Sequence, residues 1–354
     1  FVVYINFYKE RTEDLLFNNL RLSTSSGYSN IPWQNIGMMD NNGWEVNFVT
    51  FNAVKKNDLV FDFNFNLTNF VNTIVELRED VLNVYNSDFD YNNGTYLSRI
   101  QEGNSYGSIY GFKYLGVYQY NDYIPGVQEN APVARDEEGN VILGQDGQPL
   151  PMYFAFGRSN AYQFRGGDAI YEDINHDGTI DELDIVYLGN SNPKLSGGFG
   201  ASARYKSLMI TAFFNFRYGN KIVNAAKMNA ENMYYLDNQS AAVNWRWRKD
   251  GDVTEMPRAL YNYGYNWLGS DRYVEDGSFV RFKYLTINYS VPPSKLNKYK
   301  ISQLRLYLTF NNLLVFTKYT GVDPEVGYGS FSVSKDNSNT PRSKDFTLGL
   351  TMSF

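Results

Sequence analysis

Apolar and polar residues alternate without a break along the final stretch of the chain, 345–354 (DFTLGLTMSF). Phe346, Leu348, Leu350, Met352 and Phe354 fall on one face; Thr347, Gly349, Thr351 and Ser353 fall on the other. A strand repeats its side-chain direction every two residues, so this segment predicts a strand with one greasy and one small polar face. The pattern recurs. Phe61, Phe63, Phe65 and Leu67 alternate with Asp62, Asn64, Asn66 and Thr68. Trp44, Val46 and Phe48 alternate with Glu45 and Asn47, and Phe199, Ala201, Ala203 and Tyr205 oppose Gly198, Gly200, Ser202 and Arg204. Ile210, Ala212, Phe214, Phe216 and Tyr218 share a face against Thr211, Asn215 and Arg217; Leu304, Leu306, Leu308 and Phe310 oppose Arg305, Tyr307, Thr309 and Asn311. Less regular strands are expected over 1–17, 95–102, 107–120 and 278–290, roughly ten strands in all. A polar face carrying Asp, Asn, Arg and Glu suits a wet lumen better than a dry core.

The connections between these strands differ sharply in length. Segments 55–58, 103–106, 206–207 and 291–302 are short and rich in polar residues or Pro, whereas 18–35, 72–94, 121–193, 219–277 and 315–344 are long. Long structureless connections count against a compact soluble domain. In an outer-membrane barrel every second connection is long, and with the C-terminus in the periplasm all the long ones face outside. The expected class is therefore an all-β membrane protein, an antiparallel transmembrane barrel with long extracellular loops. About ten strands do not close a wide barrel, and an open edge in lipid leaves backbone groups unpaired at several kcal/mol each. Residue 1 falls in mid-strand, with no initiator Met or signal sequence. Either the barrel is small or further strands come from another segment, and the mid-strand start favours the second.

Composition narrows the alternatives. No run approaches the roughly 20 apolar residues of a membrane helix, and a mean hydropathy of -0.43 is compatible with alternating strands. The 30 Tyr and 25 Phe suit aromatic girdles. Absent cysteine removes disulfide frameworks, thiol nucleophiles and zinc-thiolate sites. A single His, His176, leaves no His-based triad or multi-His metal centre. The net charge of -6 and the lack of a basic stripe argue against nucleic-acid binding.

One segment carries a metal-ligand pattern. In 173–184 (DINHDGTIDELD), Asp173, Asn175 and Asp177 occupy positions 1, 3 and 5 of a calcium loop. Gly178 permits the sharp turn, the Thr179 carbonyl serves position 7, Asp181 reaches position 9 and Asp184 closes position 12. Asp in place of Glu at the last position resembles dockerin-type loops and makes bidentate closure harder. The expectation is one structural calcium stiffening the 121–193 loop, with Ile180 pinned on apolar surface and His176 turned to solvent; the alternative is a solvated acidic turn. The acidic groups Asp136, Glu137, Glu138 and Glu76, Glu79, Asp80 read as solvated loop charge, not as a glycosidase pair. Glycines at 197–200 lack the helix and Lys of a phosphate loop and suggest bending or close packing. The stretch 241–248 (AAVNWRWR) mixes aromatics and cations on an outer loop, suited to stacking on sugars, docking a protein, or plain packing. No catalytic residue is expected, and no substrate-binding residue is identifiable.

Several stretches resemble the SusC/RagA family of TonB-dependent outer-membrane transporters and span nearly the whole chain. Residues 8–43 are similar to its strand, "TSG" loop and "NxG" segment. Residues 102–120 (EGNSYGSIYGFKYLGVYQY) resemble its "EGxPxGSxYGYKxxGIYQ" stretch, with Asn104 and Ser105 replacing the usual small-Pro pair. GNSNPK at 189–194 resembles "GNPxPK", DGSFVR at 276–281 resembles "EDGSFxRxKxLxLxY", and NNLLVFTKYTGVDPE at 311–325 resembles "NLLxFTKYxGxDPE". The resemblance implies the C-terminal part of a 22-stranded barrel, residues 1–354, with the N-terminal strands, plug and TonB box outside it. It implies a SusD-like surface lipoprotein as partner, a dimer of such pairs, contact with membrane lipid and lipopolysaccharide, and TonB-driven import of oligosaccharides or peptides. Two competing readings are a passive porin or adhesin barrel and a secreted, calcium-stabilised soluble β-protein that binds or cleaves polysaccharide.

Overall fold

The computed structural model describes all residues except 18–33, 36, 79–92, 97–99, 156–160 and 328–332. The "TSG" loop and the acidic residues Glu79 and Asp80 lie outside the described residues. Eight long strands run in sequence order as one antiparallel sheet: β1 (Val2–Thr12), β2 (Gly37–Val49), β3 (Leu59–Leu77), β4 (Leu195–Tyr205), β5 (Leu208–Tyr218), β6 (Phe279–Ser290), β7 (Gln303–Thr317) and β8 (Asp345–Ser353). A short ninth strand, Val54–Lys56, folds back on the base of β3. Sequence neighbours pair directly, the up-and-down order that a barrel wall requires. The fold class read from alternation is the one observed. No helix among the described residues is long and apolar enough to cross a membrane.

Two expected strands are not in this wall. Segment 107–120 forms short strands, Ser108–Gly111 and Tyr114–Val117, which pair with Val186–Asn190 and Ala169–Tyr171. Ser108–Gly111 is buried throughout, which explains why its apolar residues mimic a membrane strand. The described parts of 95–102 hold no strand. Segment 78–194 is thus one long excursion, and short and long connections alternate strictly along the sheet. Strand β3 extends past the predicted 61–68 up to Leu77 because its upper half pairs with 37–43 of β2. There the wall carries an Arg11–Asp40 ion pair, Nε to Oδ1 2.6 Å.

Register sorts the two faces. Phe48, Phe65, Phe199, Phe214 and Phe282 are successive cross-strand partners and form a belt across five strands at one height. Rings stack at 5.2 Å for Phe48–Phe65, 5.1 Å for Phe199–Phe214 and 4.4 Å for Phe214–Phe282. Such aromatic pairs add about 0.5–1.5 kcal/mol beyond area burial. Among the described residues this face stays uncovered: Phe63 is 47 % exposed, Leu348 74 % and Leu350 59 %, with Phe61 half-buried. The wall is therefore greasy outward, as a lipid-facing sheet must be. The largest buried cluster, built on Phe112, Phe154, Phe164, Tyr171, Ile180 and Leu268, lies in the long connections instead.

The face assignment has a direct test. Phe63→Arg, at mid-height on the outer face, should destabilise the full-length protein in lipid by about 2–4 kcal/mol. Thr211→Arg on the opposite face should cost much less. Denaturant unfolding in liposomes reads both, and equal costs would contradict the assignment.

Candidate functional site

The inner face of the wall is polar and ordered in rows. Asp62, Ser202, Thr211, Thr286, Thr309 and Thr347 are successive cross-strand partners at one level, so five hydroxyls line up around the arc. Thr286 Oγ1 and Thr309 Oγ1 sit 3.0 Å apart. One row higher, the Phe213 ring lies over Gly198 and Gly200 and stacks on Tyr284 at 5.5 Å. A Cβ on Gly198 would stand 2.4 Å from that ring, so glycine is required for close packing, as the sequence suggested. Gly349 meets Tyr307 in the same way at 2.1 Å. Short hydroxyls and amides can exchange hydrogen bonds with a polar object in the bore without binding it tightly.

Above the wall, the long connections pack into a crown held by two buried ion clusters. Asp168, fully buried, accepts from Arg258 Nε at 2.7 Å and Nη2 at 3.0 Å, the Tyr162 hydroxyl at 2.8 Å and the Arg165 amide at 2.8 Å. This clasp joins the 121–193 and 219–277 connections. Burial, followed by the charge of Asp168, pushes the Tyr162 hydroxyl well above its usual range. The second cluster joins two motifs that lie far apart in sequence. Arg281, 3 % exposed, pairs with Asp323 and with Glu325, the latter at 3.0 Å. Arg342 adds 3.3 Å to Glu325. Burial works to raise Asp323, but the Arg342 and Glu325 amides and the Arg281 charge outweigh it and hold the carboxyl below its ordinary value. The turn at 103–106 caps β3: the buried Asn72 accepts from the Tyr106 amide at 2.8 Å and from the Ser105 hydroxyl.

The predicted metal loop is only partly assembled. Asp173 accepts from the Asp177 and Gly178 amides at 3.3 and 2.8 Å, and Asp177 Oδ1 from the Thr179 amide at 2.8 Å. His176 and Gly178 adopt positive φ, 57° and 82°, which curls 173–179. Asn175 points its amide nitrogen at Asp177, 2.9 Å away. Asp181 and Asp184 cap a short 3-10 turn reciprocally, through Leu183 and Asp181 amides, and Asp184 also accepts from Ile174 at 2.7 Å. Burial pushes the Asp184 carboxyl up to about 7 and raises Asp173 and Asp181. Among the described residues no three His, Cys, Asp or Glu side chains converge as a metal cluster. Asp173, Asn175, Asp177 and the Thr179 carbonyl fit a calcium ion by donor type and by turn, while Asp181 and Asp184 are engaged elsewhere. Ile180 is buried in the crown core as expected. His176 is not turned to solvent: its Nδ1 lies 2.9 Å from the Arg135 carbonyl.

The other sequence candidates separate cleanly. Asp136 is a turn former, accepting from the Glu138 and Asn140 amides. In 241–248, Trp247 is structural, with Nε1 donating to Gln119 O at 3.0 Å and its ring against Gly167, whereas Trp245 is 79 % exposed.

No protein-family model matches the chain. It is 30 % identical over 361 residues to TonB-dependent receptor P3 of Formosa agariphila, covering 99 % of this chain and 32 % of that receptor. TonB-dependent receptor P39 of the same organism is 29 % identical, and SusC of Bacteroides thetaiotaomicron 23 % identical, again over 99 % of this chain. The solved RagAB peptide transporter superposes with a TM-score of 0.64 at 23 % identity, over 99 % of this chain and 33 % of that one. Over nearly all its length the chain is similar to one segment of these SusC- and RagA-type receptors. It spans about a third of the length of the relatives it matches. Its place is the bacterial outer membrane, and the relatives it matches are receptors and a transporter.

In outer-membrane barrels generally the long connections face outward and the short turns face the periplasm. Sequence reasoning missed the Asp168–Arg258 clasp altogether, since 90 residues separate the partners and only a shared face would have linked them. Arg258→Met leaves Asp168 buried without its cation and should cost about 3–5 kcal/mol. The loss should appear as faster proteolysis of 219–277 in the full-length protein, with the membrane wall intact. Unchanged proteolysis would show that the clasp does not hold the crown.

Proposed function

We propose that this chain forms part of the wall and outer crown of a SusC-like importer that takes oligosaccharides or peptides across the outer membrane. The remaining strands, the plug and the TonB-coupling segment belong to the part of such a protein outside residues 1–354, and the remaining strands would pair with the open edges of β1 and β8. A SusD-like surface lipoprotein would deliver the substrate to the crown, in a dimer of such pairs. The observation that carries this reading is similarity over 99 % of the chain to receptors of this type, on a wall with a greasy outer and a hydroxyl-rich inner face. A passive porin would show uptake indifferent to cellular energy. Deleting the gene should therefore abolish uptake of a labelled oligosaccharide or peptide in the native bacterium, complementation should restore it, and a protonophore should block it. A surface lipoprotein should co-purify. Energy-independent uptake would replace this reading with the porin.

A second proposal concerns calcium. The 173–184 loop would hold one calcium ion through Asp173, Asn175, Asp177 and the Thr179 carbonyl, stiffening the 121–193 connection with no part in catalysis. Its support is the oxygen set at alternate positions and the paired left-handed residues His176 and Gly178. Calcium should slow proteolysis within 121–193 of the full-length protein several-fold relative to chelator, and Asp173→Asn with Asp177→Asn should remove the difference. Equal cleavage rates in the unsubstituted protein would end the proposal.

A further inference from the structure

The three short turns carry a charge opposite to that of the whole chain. Lys55 and Lys56 lie in the β2–β3 turn, Lys206 in the β4–β5 turn, and Lys295, Lys298 and Lys300 in the β6–β7 turn. All six are exposed, and Asp58 is the sole acidic residue within these turns. The chain as a whole is at -6. Because β2 to β7 are consecutive in the sheet, the three turns sit side by side and make one continuous cationic rim.

The rim is also aromatic at the level where the apolar face ends. Tyr205 and Tyr289 flank Leu208 as cross-strand partners at the foot of β4, β5 and β6. Lys206 Nζ lies 5.3 Å from the Tyr205 ring centroid and 3.6 Å from Asp58; Lys298 Nζ lies 5.9 Å from that of Tyr299. Tyr205 and Tyr299 are 51 % and 65 % exposed. A tyrosine at the hydrocarbon boundary with a lysine reaching past it matches the position of a lipid phosphate. Lys206 directly follows the last residue of β4, so its ammonium cannot stand far from that boundary. The fold-back of 54–56 on 59–61 likewise holds Lys55 and Lys56 against the base of β3.

We infer that this rim binds the phosphate groups of anionic phospholipids in the periplasmic leaflet, tethering the barrel wall at a fixed depth. The inference rests on the barrel reading and its orientation. An acidic periplasmic protein would be attracted by the same charge, but the interleaved tyrosines and the continuity with the lipid-facing surface favour lipid.

The test uses the full-length protein reconstituted with spin-labelled lipids. Its association with phosphatidylglycerol should exceed that with phosphatidylcholine by about fivefold or more, since one near-surface lysine contributes about that factor. Replacing all six lysines by Gln should bring the ratio close to one, and Lys249→Gln on the crown should leave it unchanged. Heat-modifiable migration of each variant reports whether the barrel has folded into the membrane. A folded protein without the preference, or one that keeps it after all six substitutions, overturns the rim assignment and leaves the barrel standing. Loss of binding to an acidic periplasmic protein with lipid preference unchanged would also overturn it. A protein that never enters the bilayer removes the barrel reading itself.

Discussion

Every backbone N–H and C=O inside hydrocarbon must find a partner within the protein, because lipid offers none. That requirement accounts for the wall. Eight strands pair in sequence order along their lengths, and once the rungs are fixed the register is fixed with them. The phenylalanine belt (Phe48, Phe65, Phe199, Phe214, Phe282) and the hydroxyl row (Ser202, Thr211, Thr286, Thr309, Thr347) follow from the same pairings. A slip of one residue on any strand would turn its phenylalanines into the bore and its threonines into lipid. The contrast between two solvents therefore enforces the register more strongly than any turn.

The crown obeys a different rule. Water is available there, so backbone groups are free to leave the sheet, and the long connections gather a core of their own around Phe112, Phe154 and Ile180. Buried charge then fixes how they meet. Asp168 with Arg258 and Arg281 with Asp323 and Glu325 each join segments far apart in sequence. Breaking one partner of such a pair strands the other in low dielectric, so the clusters specify one arrangement even where their net contribution to stability is small.

These two rules also decide what was legible in the sequence. Strands with one face in lipid announce themselves by period two, and 61–68, 198–205, 210–218 and 345–354 are legible on that basis alone, each lying within or along an observed strand of the wall. Segment 107–120 was misassigned because residues buried on all sides by protein are as apolar as residues facing lipid; Ile109, Tyr110 and Phe112 carry no mark of which solvent covers them. The upper part of β3 is not legible as a strand because Asn72 and Thr73 are polar in succession and pair with Asn41 and Asp40, so the two-residue alternation fails there. In the 173–184 loop the turn positions were legible from Gly178, but the contact of His176 with the Arg135 carbonyl depends on a chain crossing that local spacing does not encode. Both motifs around Arg281 and Asp323 were visible; their union was not.

The apolar and hydroxyl-bearing faces alternate residue by residue along the same strands: Thr211 lies beside Ala212, Thr286 beside Leu285, Thr309 beside Phe310. A substitution confined to one parity therefore changes one solvent interface and leaves the other untouched. Glycine is the exception, because Gly198, Gly200 and Gly349 are fixed by the aromatic rings above them and not by either solvent. A wall built this way can revise the chemistry of its bore residue by residue while its contact with lipid stays constant, provided the ring-over-glycine sites are kept.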